Sequence, residues 1–407
     1  MKHLHKIYHE MENKDFNLCY QNRISYDSAC KLDIQIKPMN QPNLYPLYYI
    51  PTNKIINKIS EAYKTSKQLE FIFMKLPDIA KNQFVMECLV EELFNTNELE
   101  GVKSSREEIA RSAREVKLNR KNKNRFNSMI KLYLNLYSGE LEIPQKPEDM
   151  RFIYDNITKG EIDETELPDG KIFRKEQTFV LKKSGTGQVI HHGIVPEEKI
   201  IKSVESLLNF LNEEHGIPDL IKIAIGHYYF GYIHPFYDGN GRTSRFISSV
   251  YLTQVLGKVS AFSLSRGSNK FRNKYLTAFE ITNSLKGRGE LNYFIDIFLD
   301  IIVNTLTEMT SELKEKVELL DLAYEKIDKE TMLNDVSESY KDILFVLAQN
   351  HFFDHAKGMT VKELSEEFNW STATARKKIK ELIEISLVEQ FGERPAIYKI
   401  KEGYFES

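Results

Sequence analysis

Apolar residues return every three or four positions through long reaches of this chain. That period commits most of it to amphipathic helices, which must bury their apolar stripes against one another. The stretch "IINKISEAYKTSKQLEFIFMKL" from Ile55 shows it, as does "NQFVMECLVEELFNTNELEG", with Gly101 as a natural stop. "ELNYFIDIFLDIIVNTLTEMTSELKEKVELLDLAYEKI", 290–327, continues the pattern as one helix or two. The period breaks in two places. The first fifty residues show no sustained periodicity, and prolines at 38, 42, 46 and 51 rule out a long helix in 37–51, so 1–54 reads as an irregular N-terminal arm. Around "KIFRKEQTFVLKKSGTGQVIHHGIVPEEKI" short β-branched and aromatic runs flank "KSGTGQ", which predicts a hairpin with extended chain near Thr178–Leu181 and Gln188–His191.

The last seventy residues have their own logic. "YKDILFVLAQN", "TVKELSEEFN" and "STATARKKIKELIEISL" read as three helices, and "VEQFGERPAIYKI" as two strands about a Gly-Glu-Arg-Pro turn. That is the layout of a winged helix-turn-helix. The fold class expected is therefore mainly α, with a β-hairpin and a C-terminal winged helix.

Composition narrows the partners. With 56 basic and 59 acidic side chains the net charge is −3, so no global field draws the chain to nucleic acid or an anionic membrane. Cys19, Cys30 and Cys88 are too few and too irregularly spaced for a disulfide framework or a thiolate zinc site. No apolar run approaches a membrane span or a signal h-region, and the expected location is cytoplasmic.

The chemistry gathers in "HPFYDGNGRTSR", His234 to Arg245. Asp238-Gly239-Asn240-Gly241 permits unusual backbone angles and lets amides converge on an anion. If a helix opens there, its N-terminus is an anion site as well. Arg242 and Arg245 then lie one turn apart on that helix, where each cation is unfavourable by roughly 0.3–1 kcal/mol without an anionic partner. A polyphosphate answers that need. Asp238 suits Mg2+ beside phosphates, and His234 suits a general base near neutral pH. The sequence lacks the Gly-Lys-Ser/Thr ending of a Walker loop, and no strand precedes the motif as a dinucleotide fingerprint requires.

These residues match the signature of the Fic family, His-x-Phe-x-Asp/Glu-Gly-Asn-Gly-Arg-x-x-Arg, at every defining position, and the resemblance extends over roughly Ile55 to Val303. It implies a helical domain that transfers AMP from ATP to a hydroxyl side chain of a protein. Carried over by position, His234 would deprotonate the target hydroxyl and Phe236 would anchor the loop. Asp238 would hold Mg2+. Gly239, Asn240 and Gly241 would cradle the phosphates that Arg242 and Arg245 bind. Gln188, Val189, Ile190, His191, His192 and Gly193 would form a flap that pairs with a target segment, with the two histidines on its surface. Tyr275 and Asn283 would line the adenine pocket. "TNELEG" is similar to the family's inhibitory pattern, so Thr96, Glu100 and Gly101 would mark an inhibitory helix around 85–101, with Glu100 pairing with Arg245.

The expected organisation is thus an arm at 1–54, a Fic domain at 55–303 with its flap around 178–195, a connecting helix at 304–335 and a winged helix at 336–407. ATP, Mg2+ and a target protein, or the chain itself through its 21 tyrosines, are the expected partners. Residues 371–382, with Arg376, Lys377, Lys378 and Lys380 as a basic side, leave DNA and protein both open as partners of the winged helix. A homodimer is compatible with the sequence. The competing readings are removal of AMP, use of another nucleotide donor, and a nucleotide-sensing DNA-binding regulator.

Overall fold

The computed structural model describes residues 1–117, 125–181, 188–333, 337–353, 358–393 and 396–405. The chain is mainly helical and divides into two compact units, 1–67 with 89–307, and 68–88 with 308–407. None of the helices among the described residues is long and apolar enough to cross a membrane.

The first unit opens with α1 (Leu4–Tyr8) and α2 (Asn13–Ile24), then pairs β1 (Cys30–Ile36) with β2 (Tyr45–Tyr49) in an antiparallel ladder. The arm expected to be irregular is therefore built structure. Its prolines fall where they do least harm, Pro38 and Pro42 in the connection and Pro46 on a two-stranded ladder. Leu4, Ile7, Phe16, Tyr20, Tyr48 and Ile50 close a small core of their own. Tyr48 also bridges to the segment before the long C-terminal helix, its N–H donating to Gly289 O at 3.0 Å while Leu291 N donates to Tyr48 O at 2.9 Å. Gly289 allows that approach: at φ +80° a Cβ would lie 2.2 Å from Pro46 O.

Helices α3 (Asn53–Met74) and α4 (Asp78–Glu100) follow, then α5 (Arg106–Lys117), α6 (Asn127–Ser138) and α7 (Pro147–Ile157). Gly101, at φ +79°, ends α4 as expected. A two-stranded antiparallel hairpin, β3 (Phe179–Leu181) with β4 (Val189–His192), leads to α8 (Glu197–Asn212). The "KSGTGQ" turn lies outside the described residues save for Gln188. Helices α9 (Asp219–Ile233) and α10 (Asn240–Leu256) are buried over most of their length. A helix apolar on every side, such as α9, belongs in the middle of a fold. Then come α11 (Leu264–Lys270) and α12 (Arg272–Thr282).

Helix α13 (Asn292–Asp328) is unbroken, so the boundary expected at Val303 falls inside it and the units part at Thr307 and Glu308 instead. Residues 68–88, read as part of the larger domain, belong to the second unit, where Ala80 N donates to Gln349 Oε1 at 3.1 Å. That unit continues with α14 (Ser339–Phe353), α15 (Val361–Glu367), α16 (Thr372–Glu384) and the antiparallel pair β5 (Val388–Phe391) and β6 (Ile397–Ile400). A Thr360–Glu363 capping box starts α15 and Ser371 caps α16. Of the basic side expected on α16, Lys378 turns inward. It lies 4.1 Å from the Tyr340 ring centroid and donates to Ser339 Oγ, while Lys377 and Lys380 pair with Glu381 and Glu384 one turn on. Arg394 and Pro395 of the expected turn lie outside the described residues.

Within the first unit a buried ion pair also ties the arm down, Arg23 with Glu290, whose side chains are 6% and 2% exposed. Glu290 also accepts Leu4 N at 2.8 Å. Arg23→Ala should strand that carboxylate and lower unfolding stability by about 3–5 kcal/mol in denaturant titration. Lys2→Ala at the exposed Lys2–Glu10 pair should change it by less than about 1 kcal/mol.

Candidate active site

Helix α9 ends at Ile233 and α10 begins at Asn240, so the motif is the tight connection between two buried helices. His234 sits at its start in the left-handed region, φ 51° and ψ 62°, a costly conformation for a residue with a side chain. Phe236 is fully buried, stacked on Tyr154 at 3.7 Å between ring centroids and edge-on to Phe173. Asn240 closes the loop on itself: Oδ1 accepts Phe236 N at 3.0 Å and Nδ2 donates to Phe236 O at 2.8 Å. Its side chain is thus committed to the backbone. What it can offer an anion is its N–H, which has no carbonyl within its own helix to bond.

Both arginines of the motif are buried, but they are treated differently. Arg245 donates through Nε to Thr96 Oγ1 at 2.9 Å, and through Nη2 to Thr96 O at 3.2 Å and Glu100 Oε1 at 2.7 Å. Burial works against its charge, but Glu100 and Tyr275 keep Arg245 above its ordinary pKa. Arg242 has none of these partners. It is fully buried, yet none of its three guanidinium nitrogens has a hydrogen-bond partner among the described residues. Burial lowers its pKa, with Asp238 and Glu100 opposing. An unpaired buried cation of this kind is costly, and such groups are rare in proteins.

The cradle between them is narrow. Glu100 Oε1 would lie 2.1 Å from a Cβ placed on Gly241, so only glycine admits the carboxylate there. Gly239, at φ +77°, has the same freedom against Thr158 and Tyr154. Asp238 takes Gly239 N–H on Oδ1 at 2.5 Å. No cluster of three or more His, Cys, Asp or Glu capable of holding a metal occurs among the described residues. A lone carboxylate beside an anion cradle fits Mg2+ held mostly by phosphate oxygens and water.

Helix α4 brings more than the two residues read from sequence. Glu92, Thr96 and Glu100 fall four apart and share one stripe. Glu92 is fully buried, accepting Ser265 N at 3.0 Å, Ser265 Oγ at 2.5 Å and Tyr133 OH at 3.3 Å. Burial pushes its pKa up to about 7, against the pull of Ser265 and Arg245. The stripe was legible in the sequence; that Glu92 would be buried was not.

The residues expected at an adenine pocket lie in the core. Tyr275 OH bonds His227 Nε2 at 2.7 Å, and Asn283 Oδ1 accepts Tyr228 OH at 2.6 Å, so both polar groups are engaged internally. On the hairpin, His192 is exposed as expected but His191 is not. It is 5% exposed, its ring lies against Tyr232, and its Nε2 bonds Tyr232 O at 2.6 Å. Alternation along β4 sends it inward. Gln188 is exposed and Val189 and Ile190 are half-buried.

Residues 144–252 match the family model described as Fic/DOC family. The chain carries a Fic/DOC domain. Solved structures similar to this chain include a Fic family protein from Desulfovibrio desulfuricans, at 16% identity over 87% of this chain and 98% of that one with a TM-score of 0.49. A fragment of Fic-1 from C. elegans is similar at 16% identity over 64% and 74%, TM-score 0.43. A Fic domain containing signaling protein from Bacteroides thetaiotaomicron is similar at 17% identity over 63% and 97%, TM-score 0.43. Fic domains generally transfer a nucleoside monophosphate to targets.

Three histidines of the Fic/DOC domain are held neutral. Burial depresses His234 to about 3, with His191 and Arg174 adding to it and the Gly231 carbonyl and Glu100 opposing. Burial and Arg245 take His227 to about 3, and burial takes His191 to about 4. A depressed pKa keeps the uncharged ring down to lower pH. In a ring-carbon NMR titration all three should therefore hold neutral-form shifts from about pH 8 to about pH 5, where an ordinary imidazole titrates near 6.5. The arginines give a second test. Arg242→Met should raise unfolding stability by as much as about 1–4 kcal/mol, because it removes an uncompensated charge, while Arg245→Met lowers it. Equal losses from both would mean that Arg242 is satisfied in the folded chain.

Proposed function

We propose that this protein transfers AMP from ATP to a Tyr, Ser or Thr hydroxyl of a protein, and that Glu100 restrains it. The observation that carries this reading is the pair of buried arginines at the start of α10. One is held by a carboxylate of the chain itself, and the other has no partner among the described residues. A triphosphate would satisfy Arg242 directly and the N-terminal amides of α10 with it.

On this reading the target hydroxyl oxygen attacks the α-phosphorus in line. A new O–P bond forms, the bond to the β-phosphate oxygen breaks, and pyrophosphate leaves. His234, held uncharged, takes the hydroxyl proton. Asp238 would hold Mg2+, which when bound offsets charge on the phosphates. The chain itself contributes positioning and fixed charge, the terms that dominate phosphoryl-type transfers. Glu100 sits on Gly241 and Arg245, within the space an outer phosphate would take, so it sets the triphosphate in a pose that does not react. The hairpin β3–β4 would supply the edge on which a target segment lies.

Intact-mass measurement tests this on wild type, Glu100→Gly and Glu100→Gly/His234→Ala after incubation with Mg-ATP. Glu100→Gly should gain one or more AMP and the double variant none. Transfer retained by the double variant would remove His234 as the base. No gain by Glu100→Gly, alone or with candidate targets, would remove AMP transfer. Arg242→Met should also lose ATP binding in calorimetry.

A further inference from the structure

The carbonyl oxygens from Gly231 to Pro235 are each taken by a partner, and most of the partners come from one place. His191 Nε2 bonds Tyr232 O at 2.6 Å and Ile194 N donates to Ile233 O at 3.0 Å. Arg174 Nε donates to His234 O at 2.9 Å and Arg174 N to Pro235 O at 3.3 Å. Only Gly231 O is met from within the motif, by His234 Nδ1 at 3.3 Å. These are carbonyls a helix end leaves without intrahelical partners, followed by the turn that carries His234. The groups that satisfy them flank the hairpin β3–β4 or lie on it.

Arg174 is the centre of that arrangement. It is fully buried, no carboxylate among the described residues pairs with it, and each of its three guanidinium nitrogens donates to a carbonyl. Nη1 donates to Glu176 O at 2.6 Å, just before β3, and Nη2 to Ile194 O at 2.9 Å, just after β4. One rigid fork therefore joins both feet of the hairpin to the carbonyl of His234. Gly193 leaves the space for it, since a Cβ there would lie 2.2 Å from Arg174 Nη2. Tyr237 adds a second tie, its OH accepting Glu176 N at 3.0 Å and donating to Asp169 Oδ1 at 2.9 Å.

We propose that Arg174 is a positioning residue: it locks the loop carrying His234 to the two feet of the hairpin, so that the base and the edge that receives the target keep one fixed register. Its kinetic consequence rests on the AMP-transfer reading; its structural consequence does not.

The test combines hydrogen exchange on the full chain with kinetics in the Glu100→Gly background. Arg174→Gln should raise exchange at 176–181, 189–194 and 231–237 together while α4 and α10 stay protected. It should lower kcat for AMP transfer by about one to two orders of magnitude with the Kd for Mg-ATP unchanged. Gly193→Ala, which displaces the guanidinium without deleting it, should reproduce both effects, and it serves if Arg174→Gln does not fold. Arg174→Lys should recover part of each. Unchanged exchange in the hairpin and loop would overturn the proposal, as would exchange rising equally throughout the unit or a kcat loss matched by lost ATP affinity. If Glu100→Gly transfers nothing, the proposed function fails, and the exchange measurement, which needs no turnover, still decides the role of Arg174.

Discussion

A guanidinium buried at the beginning of a helix is in the wrong place twice over. The helix dipole repels it, and the interior withholds the water that would solvate it. The start of α10 holds two, and everything around the site can be read as a response to them. Helix α4 is laid across that start with Thr96 and Glu100 one turn apart, and both reach Arg245. Eight residues before Glu100, Glu92 is fixed by Ser265 and Tyr133, so the stripe that presents the carboxylate is itself anchored. The glycines of the loop answer the same constraint, since any side chain on Gly241 would meet Glu100.

The asymmetry between the arginines is the informative part. Had evolution needed only a stable helix start, a second carboxylate or a pair of apolar residues would have served both positions. Instead Arg245 is satisfied within the chain, and Arg242 has no hydrogen-bond partner among the described residues. Stability left unspent at one side chain is what a ligand with matching charge can recover, and the chain keeps the competing carboxylate next door. On the reading proposed above, restraint and substrate binding draw on one pair of cations, and a single residue on a neighbouring helix decides how the pair is shared.

How much of this was legible before the structure depends on distance along the chain. The motif's local geometry was: the helix opening at DGNG, the stop at Gly101, the hairpin strands and the capped helices of the second unit all follow from short-range rules about glycine, alternation and capping. What was not legible was long-range. Prolines ruled out a long helix in 37–51, but nothing local said that Tyr48 would pair beside Glu290, or that Arg23 would be buried against it. Tyr275 lies on α12 and Asn283 just past its end, and only tertiary packing decides that their polar groups face His227 and Tyr228. Periodicity could not place the change of unit within α13 either, because one helix serves both units without a break in its pattern.

Arg174 is the clearest case of information absent from the sequence. In "KIFRKEQTF" it is one basic residue among three, with no motif around it, and its neighbour Lys175 is exposed. Its meaning comes from the carbonyls that converge on it, and these belong to segments 2, 20 and 60 residues away. The left-handed turn at His234 needs such outside support, because a strained backbone persists only where its surroundings over-determine it. Helix α4 constrains the α10 side of the motif through Arg245, and Arg174 constrains the side of His234. The two sets of bonds share no residue, so removing the restraint at Glu100 leaves the loop that carries His234 held as before.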